Sequence, residues 1–165
     1  MSTGRKICSP YVSSCVNDLE PSGIRKYFDL ISSMDDAISL GVGEPDFVTP
    51  WHIRESAIYS IEKGYTMYTS NAGMPELRTE LSKYLSQRYQ VDYNPTGEIL
   101  ITTGVSEALD LAMRSILNPG DEVIMSNPAY GSYAACVCLA GGHPVKVPLR
   151  VEDNFELRAE DIVKY

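Results

Sequence analysis

From residue 98 onward the chain alternates strand, helix, strand, helix, strand, and this pattern limits its fold more than any other feature. Residues 99–102 form a short β-branched run ending at Gly104, and an amphipathic helix follows with Leu109, Met113, Ile116 and Leu117 on its apolar face. "NPGDE" is a turn, "VIMSN" reads as a buried strand, and "YGSYAACVCLAGG" as a helix stopped by two glycines. "PVKVPL" alternates, with Val145, Val147 and Leu149 on one face. A strand–helix alternation of this kind predicts an α/β layer whose strands lie buried under helices. A last amphipathic stretch, "RAEDIVKY", runs to the end of the sequence, which is expected to stop inside the pattern.

Upstream, "PSGIRKYFDLISSM" places Ile24, Phe28, Ile31 and Met34 at helical spacing, with Ser22 as a cap. Residues 38–40 read as a short strand before a glycine-rich loop. "TPWHIRESAIYSIEKG" carries strong helix punctuation: Thr49 to cap, Pro50 at the first helical position, Gly64 to close the end. Ile53, Ala57, Ile58 and Ile61 are its expected buried face. A further proline-started helix carries the stripe Leu77, Leu81, Tyr84 and Leu85, and "VDYNPTGE" ends it.

Bulk properties narrow the function classes. The 165 residues suit one ordinary domain, and 44% hydrophobic with 22% charged residues is a globular composition. A formal charge of -8 argues against a nucleic-acid surface, which carries a basic stripe. No stretch has the length of a membrane span and the N-terminus has no apolar signal region, so a cytoplasmic protein is expected. Cys8, Cys15, Cys136 and Cys138 lack zinc-site spacing and are expected to be buried or half-buried free thiols.

"TTGVSEAL" is where chemistry enters. A glycine turn feeding a helix N-terminus aims the amides of Val105, Ser106 and Glu107 outward, where the helix dipole favours an anion. The same residues fit a simpler arrangement, with Ser106 capping the helix and Glu107 and Asp110 satisfying the dipole. Several other motifs are excluded: there is no G-x-x-x-x-G-K-[ST], "GVGEPD" lacks the third glycine of a dinucleotide fingerprint, and no G-x-S-x-G is present. His52 and His143 stand alone, without metal-ligand spacing, so no metal site is expected.

Five motifs occur in order: "SLGVGEPDFVTP", "YTSNAGMPELR", "ITTGVSEAL", "NPGDEVIMSNPAYGSY" and "AGGHPVKVPL". Together they resemble the N-terminal half of the class I/II aminotransferases, fold type I enzymes that use pyridoxal 5'-phosphate. The likeness is greatest to the aspartate and aromatic amino acid branch of archaea and bacteria. It implies an α/β fold: part of the fold type I large domain, three-layer α/β/α with an incomplete mixed sheet, preceded by an N-terminal helical segment. Residues 1–40 would be the arm and helix, and 41–165 the first part of the cofactor-binding domain.

The resemblance also assigns residues. Val105, Ser106 and Glu107 are expected to hold the cofactor phosphate, Tyr130 to stack on its ring, and Tyr68 to reach a partner subunit's phosphate across a homodimer. Gly43 is expected to lie against substrate, and Asn127–Pro128 to be cis. Phe47 and Tyr11 could wall the pocket but are expected to pack. The family's cofactor-linked lysine, its pyridine-nitrogen aspartate and its carboxylate-binding arginine match nothing here. None of the six lysines (Lys6, Lys26, Lys63, Lys83, Lys146, Lys164) has the right setting. No catalytic residue is therefore expected, and the chain is read as the inactive N-terminal fragment of an enzyme passing an amino group from an amino acid to a 2-oxo acid. The alternatives are a fragment of a C–S lyase or decarboxylase of the same fold, or a non-catalytic cofactor-binding module.

Overall fold

The computed structural model describes residues 10–19, 27, 34, 43 and 45–165, which fall into two compact units. One joins the N-terminal residues to residues 103–165; the other spans 27–102. The predicted helix over 22–34 and strand over 38–40 lie outside the described residues, apart from the single positions Tyr27 and Met34.

The first unit contains the later part of the predicted alternation: helix, strand, helix, strand. Helix α1 covers Ser14–Asp18, and its N-cap Ser13 accepts from the Val16 amide through its hydroxyl. Strand β1 (Glu122–Asn127) and strand β2 (His143–Pro148) pair in parallel, in the register Glu122 to His143 and Asn127 to Pro148. Parallel neighbours need a crossover, and an eight-residue helix (Ser132–Leu139) supplies it. Before β1 comes the long amphipathic helix Gly104–Ile116, which packs against the crossover helix. A 3-10 turn (Val151–Asp153) and a short helix (Ala159–Ile162) follow β2. Among the described residues the α-helices are, in chain order, α1, then α2 (Trp51–Glu62), α3 (Pro75–Tyr89), α4 (Gly104–Ile116), α5 (Ser132–Leu139) and α6 (Ala159–Ile162).

The core sits where α5 lies on the strand pair. Val147 is fully buried, and Cys136 and Val137 are buried with it. The alternation predicted for β2 holds: Val147 is buried, Val145 and Leu149 half-buried, Lys146 and Pro148 exposed. Between α4 and β1, the Asp121 carboxylate accepts from the Asn118 amide at 2.8 Å and tightens the predicted turn.

Six expectations are corrected. Residues 99–102 form no strand: they have no regular secondary structure, and the Ile101 N–H donates to the Ala72 carbonyl at 3.1 Å. A strand needs a ladder partner, and none lies alongside among the described residues. The expected mixed sheet is accordingly a purely parallel pair there. Helix α2 begins one residue late, with Pro50 rather than Thr49 at the N-cap, because the Pro50 carbonyl already accepts from the Ile53 and Arg54 amides. Its predicted buried face is open, with Ile53, Ile58 and Ile61 all exposed.

On α3 the stripe is also misplaced. Leu77 and Tyr84 are exposed, Leu81 and Leu85 half-buried, and the buried residue is Arg78. Its Nη1 donates to the Pro95 carbonyl at 2.7 Å and the Thr96 carbonyl at 3.4 Å, so the guanidinium ties the loop after α3 back to the helix. Polar satisfaction of two turn carbonyls outweighs apolar patterning on that face. Phe47 and Tyr11, expected to pack, are instead exposed at 89% and 96%. No element among the described residues covers them.

Candidate functional site

Gly104 opens the site. Its φ of 81° lies in the left-handed region, where a Cβ is penalised, and this turns the chain sharply into α4. The first amides of a helix have no intrahelical acceptor. Those of Val105 and Ser106 take no backbone acceptor among the described residues, and Val105 is 79% exposed. Glu107 follows at the position where a helix makes its first own bond. Its carboxylate turns back to accept the Thr103 N–H, which braces the turn.

Tyr130 comes near the same turn. It leaves the end of β1 just after Asn127–Pro128, a cis peptide as expected, and precedes α5. Its phenol lies near the Ser132 and Ser106 side chains, and their influence, Ser132 first, holds it below the usual tyrosine range; partial burial opposes them. The ring stands edge-on to Tyr133, with centroids 5.6 Å apart and planes at 74°. More than half of the Tyr130 side chain stays exposed, so one flank of the ring is open for a second flat group.

The structure therefore gathers Val105, Ser106, Glu107 and Tyr130 within one unit. Ser132, which sequence reasoning missed, joins them; its only signal was its place two residues after Tyr130 in "YGSY". Tyr68 and Gly43 belong to the other unit. Tyr68 is fully exposed, and a Cβ built on Gly43 meets nothing within 4 Å. Nothing inside the described chain thus requires a glycine at 43. Two concavities lie elsewhere: a shallow groove of about 400 Å³ beside Glu55, Tyr59 and Tyr65, and a dent of about 60 Å³ beside Val147, Arg150 and Lys164. Among the described residues no cluster of His, Cys, Asp and Glu suits a metal ion, and no helix is long and apolar enough to cross a membrane.

A parallel strand–helix–strand unit preceded by a glycine-led helix defines an α/β protein. The chain belongs to the family of class I and II aminotransferases, whose model matches residues 35–164. It is 52% identical over 151 residues to YugH of Bacillus subtilis, covering 92% of this chain and 39% of that protein. To the aspartate aminotransferase of Pyrococcus abyssi it is 42% identical, covering 89% of this chain and 38% of that protein. The crystal structure of aspartate aminotransferase from Thermotoga maritima superposes with a TM-score of 0.83 at 34% identity, over 93% of this chain and 42% of that one. The fold is therefore a part of the fold type I aminotransferase architecture, and the chain spans about two fifths of the length of these relatives.

Proposed function

We propose that the chain supplies the phosphate-binding part of a pyridoxal 5'-phosphate-dependent aminotransferase acting between an amino acid and a 2-oxo acid. The observation that carries this reading is the meeting of Tyr130 with Ser106 at the open first turn of α4. The donor set fits the group. Two unaccepted amides and a hydroxyl at the positive end of a helix suit a phosphate ester, and an adjacent half-exposed aromatic ring suits a flat heterocycle.

Bound there, the cofactor supplies an electron-withdrawing ring that eases departure of the amino acid's α-proton. The chain's own residues bind and orient. Val105 and Ser106 donate backbone N–H groups to the phosphate, the Ser106 hydroxyl adds a third donor, and Glu107 holds the turn through Thr103. Tyr130 covers one face of the ring and keeps water from it. Gly43 leaves room for substrate, and Tyr68 extends to the phosphate site of a second subunit in a homodimer. The protein works in the cytoplasm. We assign the cofactor-linking lysine to none of the six lysines present.

Titrating pyridoxal 5'-phosphate into the full chain and following its visible absorbance tests this. Ser106→Ala removes one hydrogen bond to a charged group, and the affinity is expected to fall roughly tenfold. Borohydride treatment at stoichiometric cofactor is expected to leave every lysine unlabelled. A single specifically labelled lysine, or an unchanged affinity in Ser106→Ala, overturns the reading.

A further inference from the structure

Two sulfurs far apart in sequence share one contact. Cys15 on α1 and Cys138 on α5 are separated by 123 positions, yet the Cys15 thiol donates to the Cys138 carbonyl oxygen at 3.1 Å. Both residues are half-buried, so a small reagent reaches them, and both are free thiols in the structure. A carbonyl oxygen lies about 2.4 Å from its own Cα, which brings the Cys15 sulfur within about 5.5 Å of the Cys138 Cα. A disulfide holds a sulfur about 4 Å from its partner's Cα, so at this limit the Cys15 sulfur has about 1.5 Å to close. Helix α1, only five residues long, is light enough to make up the remainder.

The third described cysteine behaves differently. Cys136 is buried two residues earlier on α5 and so points to another side of that helix. Burial pushes its thiol up, the Asp110 carboxylate pushes it further, and Arg114 pulls the other way. A thiol that resists ionisation is a poor nucleophile in exchange, and Cys136 remains a core residue.

We propose that Cys15 and Cys138 form a reversible dithiol–disulfide site, oxidised by a low-molecular-weight disulfide such as oxidised glutathione. The thiolate of one cysteine attacks a sulfur of the reagent, whose other half leaves as a thiolate and takes up a proton. The second cysteine's thiolate then attacks the protein sulfur of this mixed disulfide and displaces the remaining small thiol. The two protein thiols lose two hydrogens and two electrons, and the reagent's S–S bond gains them; excess reduced thiol reverses the exchange. The bond fastens α1 to the last turn of α5, the helix that begins at Ser132, two residues after Tyr130. The site does not depend on the aminotransferase reading.

The test is oxidation of the full reduced chain with oxidised glutathione, followed by thiol titration, intact mass and a non-reducing peptide map. The expected result is loss of two of the four free thiols, a mass lower by two hydrogens, and one cross-linked peptide pair containing Cys15 and Cys138. Cys15→Ser and Cys138→Ser are each expected to abolish the cross-link, while Cys136→Ser and Cys8→Ser keep it. Retention of all four thiols, a persistent glutathione adduct, or a bond through Cys8 or Cys136 overturns the proposal.

Discussion

Glycines 43, 73 and 104 separate backbone demands from ligand demands. Gly104 has φ 81° with open space around it, so Gly104→Ala is expected to cost about 1–2 kcal/mol of stability through conformation alone. Gly73, at φ 92°, faces Ile101, whose Cβ and Cγ1 stand 2.6 Å from where a Cβ would go; Gly73→Ala is expected to cost more than Gly104→Ala. Gly43→Ala meets nothing and is expected to leave stability within about 0.5 kcal/mol of wild type. Denaturant unfolding of the three variants ranks these costs, and any other order removes the argument. Tyr130 gives a second residue-scale prediction. Ser132→Ala is expected to raise its titration towards the ordinary tyrosine range, and Ser106→Ala to raise it less, as read from its NMR resonances against pH. Because the folded phenol ionises earlier than the unfolded one, this pair of contacts adds stability only at alkaline pH, and the gain disappears as pH falls through the folded value. The phosphate turn was legible in "TTGVSEAL" because glycine, hydroxyl and helix start fall on adjacent letters. The Ser132 contact was not, since it depends on where β1 delivers Tyr130.

Helix α3 shows how an element can be placed correctly and oriented wrongly. Its proline start was visible at Pro75, and the 15-residue span follows from helix-forming residues. Its inward side was misread because Arg78 reaches two loop carbonyls that no periodicity encodes. Arg78→Ala is expected to destabilise the chain by about 2 kcal/mol, since hydrogen bonds from a charged donor are lost and part-buried carbonyls are left without them. Arg78→Met, of similar volume, is expected to recover only part of this; full recovery of the unfolding midpoint would show that packing and not the carbonyl contacts matters. The irregular segment at 99–102 makes the same point for strands. β-branched letters set the local conformation, but only a neighbouring chain turns it into a ladder. Strand β2 was readable because its alternation has β1 beside it and α5 above it.

At the scale of the whole molecule, the strand–helix alternation was legible and so was the family, because five short motifs stand in fixed order. The core was not. Among the described residues only Val147 is buried to the last atom among large side chains, while Trp51, Ile53, Ile58 and Ile61 of α2 lie open. Open apolar faces of this extent favour association. The chain is expected to enhance the fluorescence of a hydrophobic dye and to sediment with a mass that rises with concentration. A dye-silent monomer with a sharp two-state melt contradicts this.

The most direct test of the site is a pair of amide NMR titrations of the full chain, one with pyridoxal 5'-phosphate and one with pyridoxal, which lacks the ester. The phosphate form is expected to move the Val105 and Ser106 amide resonances together with the Tyr130 ring signals, to bind far more tightly than pyridoxal, and to be displaced by inorganic phosphate. Equal binding of the two compounds, or a titration that leaves those two amides unmoved, contradicts the account.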